Sequence, residues 1–161
     1  MATRAMISIA KREEGVSFSK IPDNTLVHIY HHWDGYPEGL GVKLASYLNG
    51  YHIVNGLGRE NDRLFNGIGC MAASIVCHLK LENAGCDDSG RINIKPGDVY
   101  IEPRGSHSWI DYHYYVWGDY YKSIWISVFD GDECIFVGKP EKLLEKYGGD
   151  PYRRINWFNT N

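Results

Sequence analysis

The sequence predicts an α+β fold: an antiparallel sheet of about six strands, two main helices packed on one face, and a short C-terminal helix. Three observations lead there. Two β-rich runs open the chain, two segments of helical periodicity follow, and from Asp98 onward apolar residues recur at every second position in four further runs. Strands and helices are segregated instead of alternating one by one, which points to an antiparallel sheet with helices gathered on one side.

In order, AMISIA (5–10) and TLVHIYHHW (25–33) are rich in β-branched or aromatic residues and are joined through the turn signals KREEG and IPDN, so a hairpin is expected first. Pro37 suits a first helical turn, Leu40, Leu44 and Leu48 recur every four residues, and Asn49-Gly50 is a stop signal. After the loop GLGRENDR, Asn66 is placed to cap a second helix, with Gly85 just past its end. Ile68, Ala72, Ile75 and Leu79 form its expected core stripe, and Gly69, Ala73 and Cys77 a small-residue face able to approach a neighbouring backbone. VYIEP, IDYHYYVW, SIWISVF and CIFVG then read as consecutive antiparallel strands, and PEKLLEKY as the closing helix.

A chain of 161 residues is the size of one ordinary domain. No repeat or linker divides it, so a single α+β domain over 1–148 is expected, with a C-terminal tail over 149–161. The net charge of −3 and pI near 6.1 lack the basic excess that drives bulk nucleic-acid binding. No apolar run approaches the roughly 20 residues of a membrane span, and the start MATRAMISIAKREEG has too short an apolar core for a signal peptide. A cytoplasmic protein without a membrane partner is the expectation. Cys70, Cys77, Cys86 and Cys134 form no C-x-x-C pair, so reduced and mostly buried thiols are expected.

The stretch HIYHHWDGYPEGLG (28–41) invites a metal reading, which strand geometry weakens. Neighbouring strand residues point to opposite faces, so His31 and His32 cannot share an ion without a bulge. His28 and His32 share a face, but four residues at about 3.3 Å each hold them roughly 13 Å apart, too far for one zinc. A local chelate is therefore not expected, although His107, His113 or Asp111 could complete a site from a distance. No metal and no cofactor are assigned.

Alternation divides the sheet into two faces. If Val27, Ile29, Tyr112, Tyr114, Ile124, Ile126 and Val128 meet the helices, the second face displays His28, Tyr30, His32, His113, Tyr115, Trp117, Trp125 and Phe129. A sheet covered on one side usually shows polar residues on the other. An aromatic second face therefore calls for a second subunit, the folded-back tail with Trp157 and Phe158, or a ligand that stacks. In DGYPEGLG, Asp34-Gly35 and Pro37 read first as strand-to-helix punctuation, and Glu38 argues against a phosphate pocket.

Met1, Thr3 and Arg4 (M-x-T-R), HWDGYPEGLG, NGIGCMAA and IFVGKPEKLLEKY together resemble a broad group of short uncharacterised proteins of bacteriophages and bacterial genomes. The group carries no assigned activity, so no catalytic residues transfer. The resemblance implies a phage setting, in which a small protein binds a host component or sequesters a nucleotide signal used in defence; the host cytoplasm would then be its location.

The reading that follows is a non-enzymatic binding protein, a small homo-oligomer, holding a nucleotide-like planar molecule. Its candidate ligand-binding residues are Arg4, His28, Tyr30, His32, Trp33, Asp34, Tyr36, Arg104, His113, Tyr115 and Trp117, with Arg4, Arg104 and Arg91 as candidates for contacting anions. The alternative is an inhibitor that docks its aromatic face on a host protein. A small hydrolase or transferase is the third reading. It would need a Cys–His pair or paired carboxylates such as Asp34 with Glu38 or Asp87 with Asp88, and no catalytic residue is assigned.

Overall fold

The computed structural model describes residues 2–56, 63–82, 84–105 and 108–149. Its fold is α+β, as the sequence predicts. Strands β1 (Ala5–Lys11), β2 (Thr25–His31), β7 (Val99–Glu102), β8 (Tyr112–Gly118), β9 (Trp125–Asp130) and β10 (Glu133–Gly138) form a six-stranded sheet in the order β10-β9-β8-β1-β2-β7. Two minor pairs accompany it: β3 (His52–Val54) with β4 (Leu64–Asn66), and β5 (Gly85–Cys86) with β6 (Ile92–Asn93).

The opening hairpin forms, with Ile7 opposite Ile29 and Ser8 opposite His28. The sheet, however, is mixed and not purely antiparallel, because β1 runs parallel to β8. β7 is also not the neighbour of β8; it pairs with β2 at the far edge. Since β1 is antiparallel to β2 and β2 to β7, strands β7 and β8 point the same way, and the chain must cross β2 and β1 between them. Sequence neighbours usually pair in a sheet, and that tendency is what misled the reading of VYIEP and IDYHYYVW as adjacent strands.

Pro37–Gly41 makes a wide π-helical turn that continues into α1 (Val42–Leu48). Leu40, Leu44 and Leu48 are all buried, as their spacing predicts. α2 (Gly67–Glu82) turns Met71, Ala72, Ile75 and Leu79 inward. Ile68 is half-buried at the edge of that stripe, and Met71 belongs in it although the sequence reading passed over it. α3 (Pro140–Tyr147) inserts Leu143. All three helices share one core with Ala5, Ile7, Ile9, Ile29, Tyr114 and Val128 from a single face of the sheet.

Three expectations about α2 need correction. Asn66 does not cap it; its Oδ1 accepts from the Gly56 N–H at 2.9 Å. Gly69, Ala73 and Cys77 face outward, and among the described residues nothing lies within 4 Å of a Cβ built on Gly69, so none of their backbone approaches there. Cys70 and Cys77, seven residues apart and on one side of the helix, lie opposite the Met71/Ile75/Leu79 stripe and are exposed free thiols, as is Cys86, while Cys134 is half-buried. The tail expected after residue 148 lies outside the described residues apart from Gly149, as does the segment 57–62. No helix among the described residues is long and apolar enough to cross a membrane.

DGYPEGLG acts as the strand-to-helix punctuation its composition suggests. The Gly35 N–H donates to Thr3 O at 2.9 Å, the Tyr114 hydroxyl donates to Gly35 O at 2.7 Å, and Leu40 N–H returns to Asp34 O at 2.8 Å. A Cβ on Gly35 would lie 2.8 Å from Ala5 Cβ and 2.9 Å from Thr3 O. Gly35→Ala is therefore expected to cost about 1–3 kcal/mol through overpacking. The urea midpoint reads this directly, and an unchanged midpoint would show that the turn does not clamp the start of β1.

Candidate functional site

The two faces of the sheet divide as alternation predicts, but the second is not bare. Tyr30, Tyr115, Trp117 and Phe129 retain only 3%, 4%, 1% and 4% of their exposure. The chain itself covers them. From the β1–β2 connection, Phe18 stacks on Trp125 at 4.8 Å and sets its edge against Trp117 at 5.2 Å. Ser127 Oγ accepts from Trp117 Nε1–H at 2.7 Å and donates to Phe18 O, so the polar atoms beneath this lid are paired. From the β7–β8 crossover, Gly105 lies against the His28 ring so closely that an added Cβ would collide with it, and Trp109 meets Tyr30 edge-on at 5.3 Å. The expected need for an outside partner on the whole face is thus overturned.

Between the two coverings a cavity of about 280 Å³ remains, lined by Thr25, His28, His113, Tyr115, Phe129 and Asp132, among others. A hollow of about 230 Å³ adjoins it through Gly105, His113 and Asp132 and reaches Asp111. Beneath the first lies a hydrogen-bonded chain. Ser8 Oγ is 2.6 Å from His28 Nδ1 and 2.7 Å from His113 Nε2. The remaining nitrogens are engaged as well, His28 Nε2 with Thr25 Oγ1 at 3.2 Å and His113 Nδ1 with the Tyr115 hydroxyl at 3.2 Å. The register makes this possible, because Ser8 in the central strand sits opposite His28 in β2 and opposite Tyr115, two residues past His113, in β8.

Burial favours the neutral form of both rings. It lowers His28, and it lowers His113 to about 3 with a further push from His28 nearby. Burial likewise raises the Tyr115 hydroxyl to about 12. Ser8 itself is fully buried in mid-strand, so its hydroxyl cannot meet a substrate carbonyl as a nucleophile would have to.

The eleven candidate residues fall into separate groups. His28, His113 and Tyr115 meet at the cavity, and Trp117 lies in the packed cluster beside it with Tyr115 and Phe129. Arg4, Tyr30, His32 and Trp33 gather farther along the same face. There the Tyr30 hydroxyl bonds His32 Nδ1 at 2.6 Å, the Arg4 side chain reaches the same hydroxyl, and His32 stands edge-on to Trp33 at 4.4 Å. Burial is the main reason the Tyr30 hydroxyl is raised, against which Arg4 pulls down. Trp33 Nε1–H donates to Asp98 at 3.1 Å. Asp34 and Tyr36 stay on the turn, where the carboxylate raises the exposed Tyr36 hydroxyl. Arg104 and Arg91 are exposed and line neither hollow.

His31 points the other way, into the helix-side core, with Nδ1 unpartnered, and burial together with nearby Lys43 lowers it to about 4. His107 lies outside the described residues. Among the described residues no group of three or more His, Cys, Asp or Glu is placed to hold a metal ion.

Sequence reasoning missed Ser8, Thr25, Gly105 and Asp132. Only Ser8 carried a signal, as the one hydroxyl inside the apolar run AMISIA. It also missed a larger hollow of about 450 Å³ on the helix side, between Lys43, Tyr47, Arg63, His78 and Glu82. There the polar groups already pair with each other, His78 with Glu82 at 3.3 Å and Lys43 with Glu82 at 3.8 Å, while Tyr47 stacks on His78 at 4.0 Å. No family model, curated protein or solved structure matches the chain.

The neutral histidines set a pH dependence. Unfolded, each takes up a proton below its ordinary value of 6.5; folded, His31 does so only near 4 and His113 only near 3. The unfolded state therefore binds more protons between these values, and stability is complete above pH 6.5 and falls as pH drops through the window. Each ring contributes a slope approaching about 1.4 kcal/mol per pH unit. Urea midpoints measured from pH 7.5 to 5 should decline below 6.5, and a flat profile would mean that these rings accept protons in the fold.

Proposed function

We propose that the protein is a non-enzymatic binding protein that holds the planar, base-like part of a nucleotide-like small molecule in the His28–His113 cavity. The observation that carries this is the fully paired Ser8–His28–His113 chain at the floor of a hollow flanked by Tyr115 and Phe129. Preformed, mostly apolar pockets with a few fixed polar groups are what small ligands use, and about 280 Å³ sits just under the range for drug-sized molecules. A single ring system fits such a volume.

Charge narrows the ligand further. Asp132 lines the cavity and, among the described residues, no lysine or arginine does, so an anionic group gains nothing from them inside it. The burial of Ser8 favours holding over turnover. The motif resemblance to phage and bacterial proteins supports a setting in which a base-containing signal is sequestered in a host cell.

A second reading draws on one different observation. β7 is an edge strand, and Ile101 and neighbouring Trp33 are 53% and 49% exposed there, a pattern that suits docking of a host protein or a second copy.

Native mass spectrometry and thermal denaturation with a panel of bases, nucleosides and nucleotides test the first reading. Neutral bases should raise the melting temperature, with about 2.7 kcal/mol gained at a hundredfold excess over Kd, and should be released unchanged at one per chain. Added phosphates should bring no further gain. Conversion of the ligand, or a response to phosphate alone, would overturn the reading, and a mass shift to dimer without ligand would favour the edge-strand alternative.

A further inference from the structure

Ser8 has one hydroxyl hydrogen and two ring nitrogens within 2.7 Å, so that buried hydrogen finds a partner in the chain only when Ser8 donates to one histidine and accepts from the other. Only two arrangements then satisfy the whole chain. In the first, Tyr115 donates to His113 Nδ1, His113 Nε2–H donates to Ser8, Ser8 donates to His28 Nδ1, and His28 Nε2–H donates to Thr25. In the second every bond is reversed. Both rings carry hydrogen on Nε2 in the first and on Nδ1 in the second. In a mixed pair, two N–H groups at Ser8 fill both its lone pairs and orphan its buried hydroxyl hydrogen, while two bare nitrogens leave one of them without a donor; either is costly where water cannot replace the missing bond.

The ends of the chain change character with the arrangement. In the first, the Thr25 hydroxyl has its hydrogen to give and the Tyr115 oxygen can accept; in the second, Tyr115 gives and Thr25 accepts. Both residues line the cavity. In either arrangement only one of the two ends has a hydrogen to give, and the other can only accept.

We propose that Thr25–His28–Ser8–His113–Tyr115 is a two-position tautomer relay, and that it makes the cavity select an uncharged heterocycle whose edge carries one donor beside one acceptor, as a lactam does. The ligand class rests on the binding reading above; the relay does not. Switching moves one hydrogen along each bond, taken up at the Tyr115 oxygen and given up at the Thr25 oxygen by exchange with solvent, and leaves the charge unchanged. A lactam that engages the two ends fixes one arrangement, and with it the tautomer of both rings at once. Asp132 adds an acceptor at the wall and works against anionic ligands.

Long-range ¹H–¹⁵N spectra of the full chain labelled at histidine test this. Tyr115→Phe leaves His113 Nδ1 without a partner in either arrangement, and an orphaned N–H is costlier there than a bare nitrogen, so His113 and also the distant His28 should shift to Nε2–H. Thr25→Val likewise leaves His28 Nε2 without a partner in either arrangement, so both rings should shift to Nδ1–H, which keeps the orphaned position a bare nitrogen. Ser8→Ala should abolish the response of the far ring in either background. Should an end variant fail to fold, the wild-type chain answers alone: on warming, the averaged Nδ1 shifts of the two rings should move in the same direction. Far-ring shifts that ignore both end variants, or wild-type rings that move independently, would overturn the relay.

For the ligand class the probes are uracil, pyridine, which only accepts, and aniline, which mainly donates, at pH 7.5. Uracil should bind at least about tenfold more tightly than either, as expected when a buried polar partner is left unmatched, and should collapse both rings to one tautomer. Equal affinity for all three overturns the ligand class while leaving binding intact. Silence from all three overturns the ligand class and the binding reading together, whereas the relay stands or falls on the variant spectra.

Discussion

Ser8 is a hydroxyl at the centre of the central strand, buried on a sheet that is covered on both faces. That constraint organises much of what surrounds it. Leaving such a group unpaired costs about 1–3 kcal/mol, so the strands on either side must each present a polar partner at the right height. β2 supplies His28 and β8 supplies His113. A slip of one residue in either pairing would turn the histidine toward the helices, where Ile7, Ile29 and Tyr114 pack. The serine thus fixes the register of three strands by making the wrong registers leave polar atoms stranded among aliphatic ones.

The crossover from β7 to β8 explains why such a centre can exist. An antiparallel sheet of hairpins would have left the second face open, and its histidines would be solvated. Because β7 joins at the far edge and points along β8, the chain has to return across β2 and β1, bringing Gly105 onto His28 and Trp109 onto Tyr30. Glycine at 105 is required for this close approach, since any side chain would strike the imidazole. Phe18 closes the other half of the face, and the cavity is the gap between the two covers.

How far this was legible in the sequence follows from what kind of information each feature needs. Local periodicity is printed in the chain: the Leu40/Leu44/Leu48 stripe, the opening hairpin and the division of the sheet into aliphatic and aromatic faces all follow from spacing. Strand order is not, because pairing β7 with β2 depends on which edge is free once the hairpin has formed. The candidate residues fared according to the same rule. His28, His113 and Tyr115 were visible as aromatic second-face positions, and they meet. Ser8 and Thr25 look like ordinary strand residues until the register places them beside imidazoles. The thiols of Cys70 and Cys77 are exposed although free cysteine is commonly buried, because only the inward choice of Met71 decides which side of α2 meets the core.

The parallel pairing of β1 with β8 has a consequence for how the chain reaches this state. Ser8 and His113 are separated by 105 residues. During synthesis β1 emerges first and can form its hairpin with β2 early, yet the strand that flanks it on the other side is made only after α1 and α2. Contacts of such long sequence separation carry a large loop-closure cost and form slowly. Until β8 arrives, β1 is an open edge of a hydrophobic hairpin, the kind of surface that invites pairing with another chain. Production of this protein should accordingly be limited by the interval between the first strand and the eighth, and the polar Ser8 in the middle of AMISIA interrupts what would otherwise be an uninterrupted sticky ribbon during that interval.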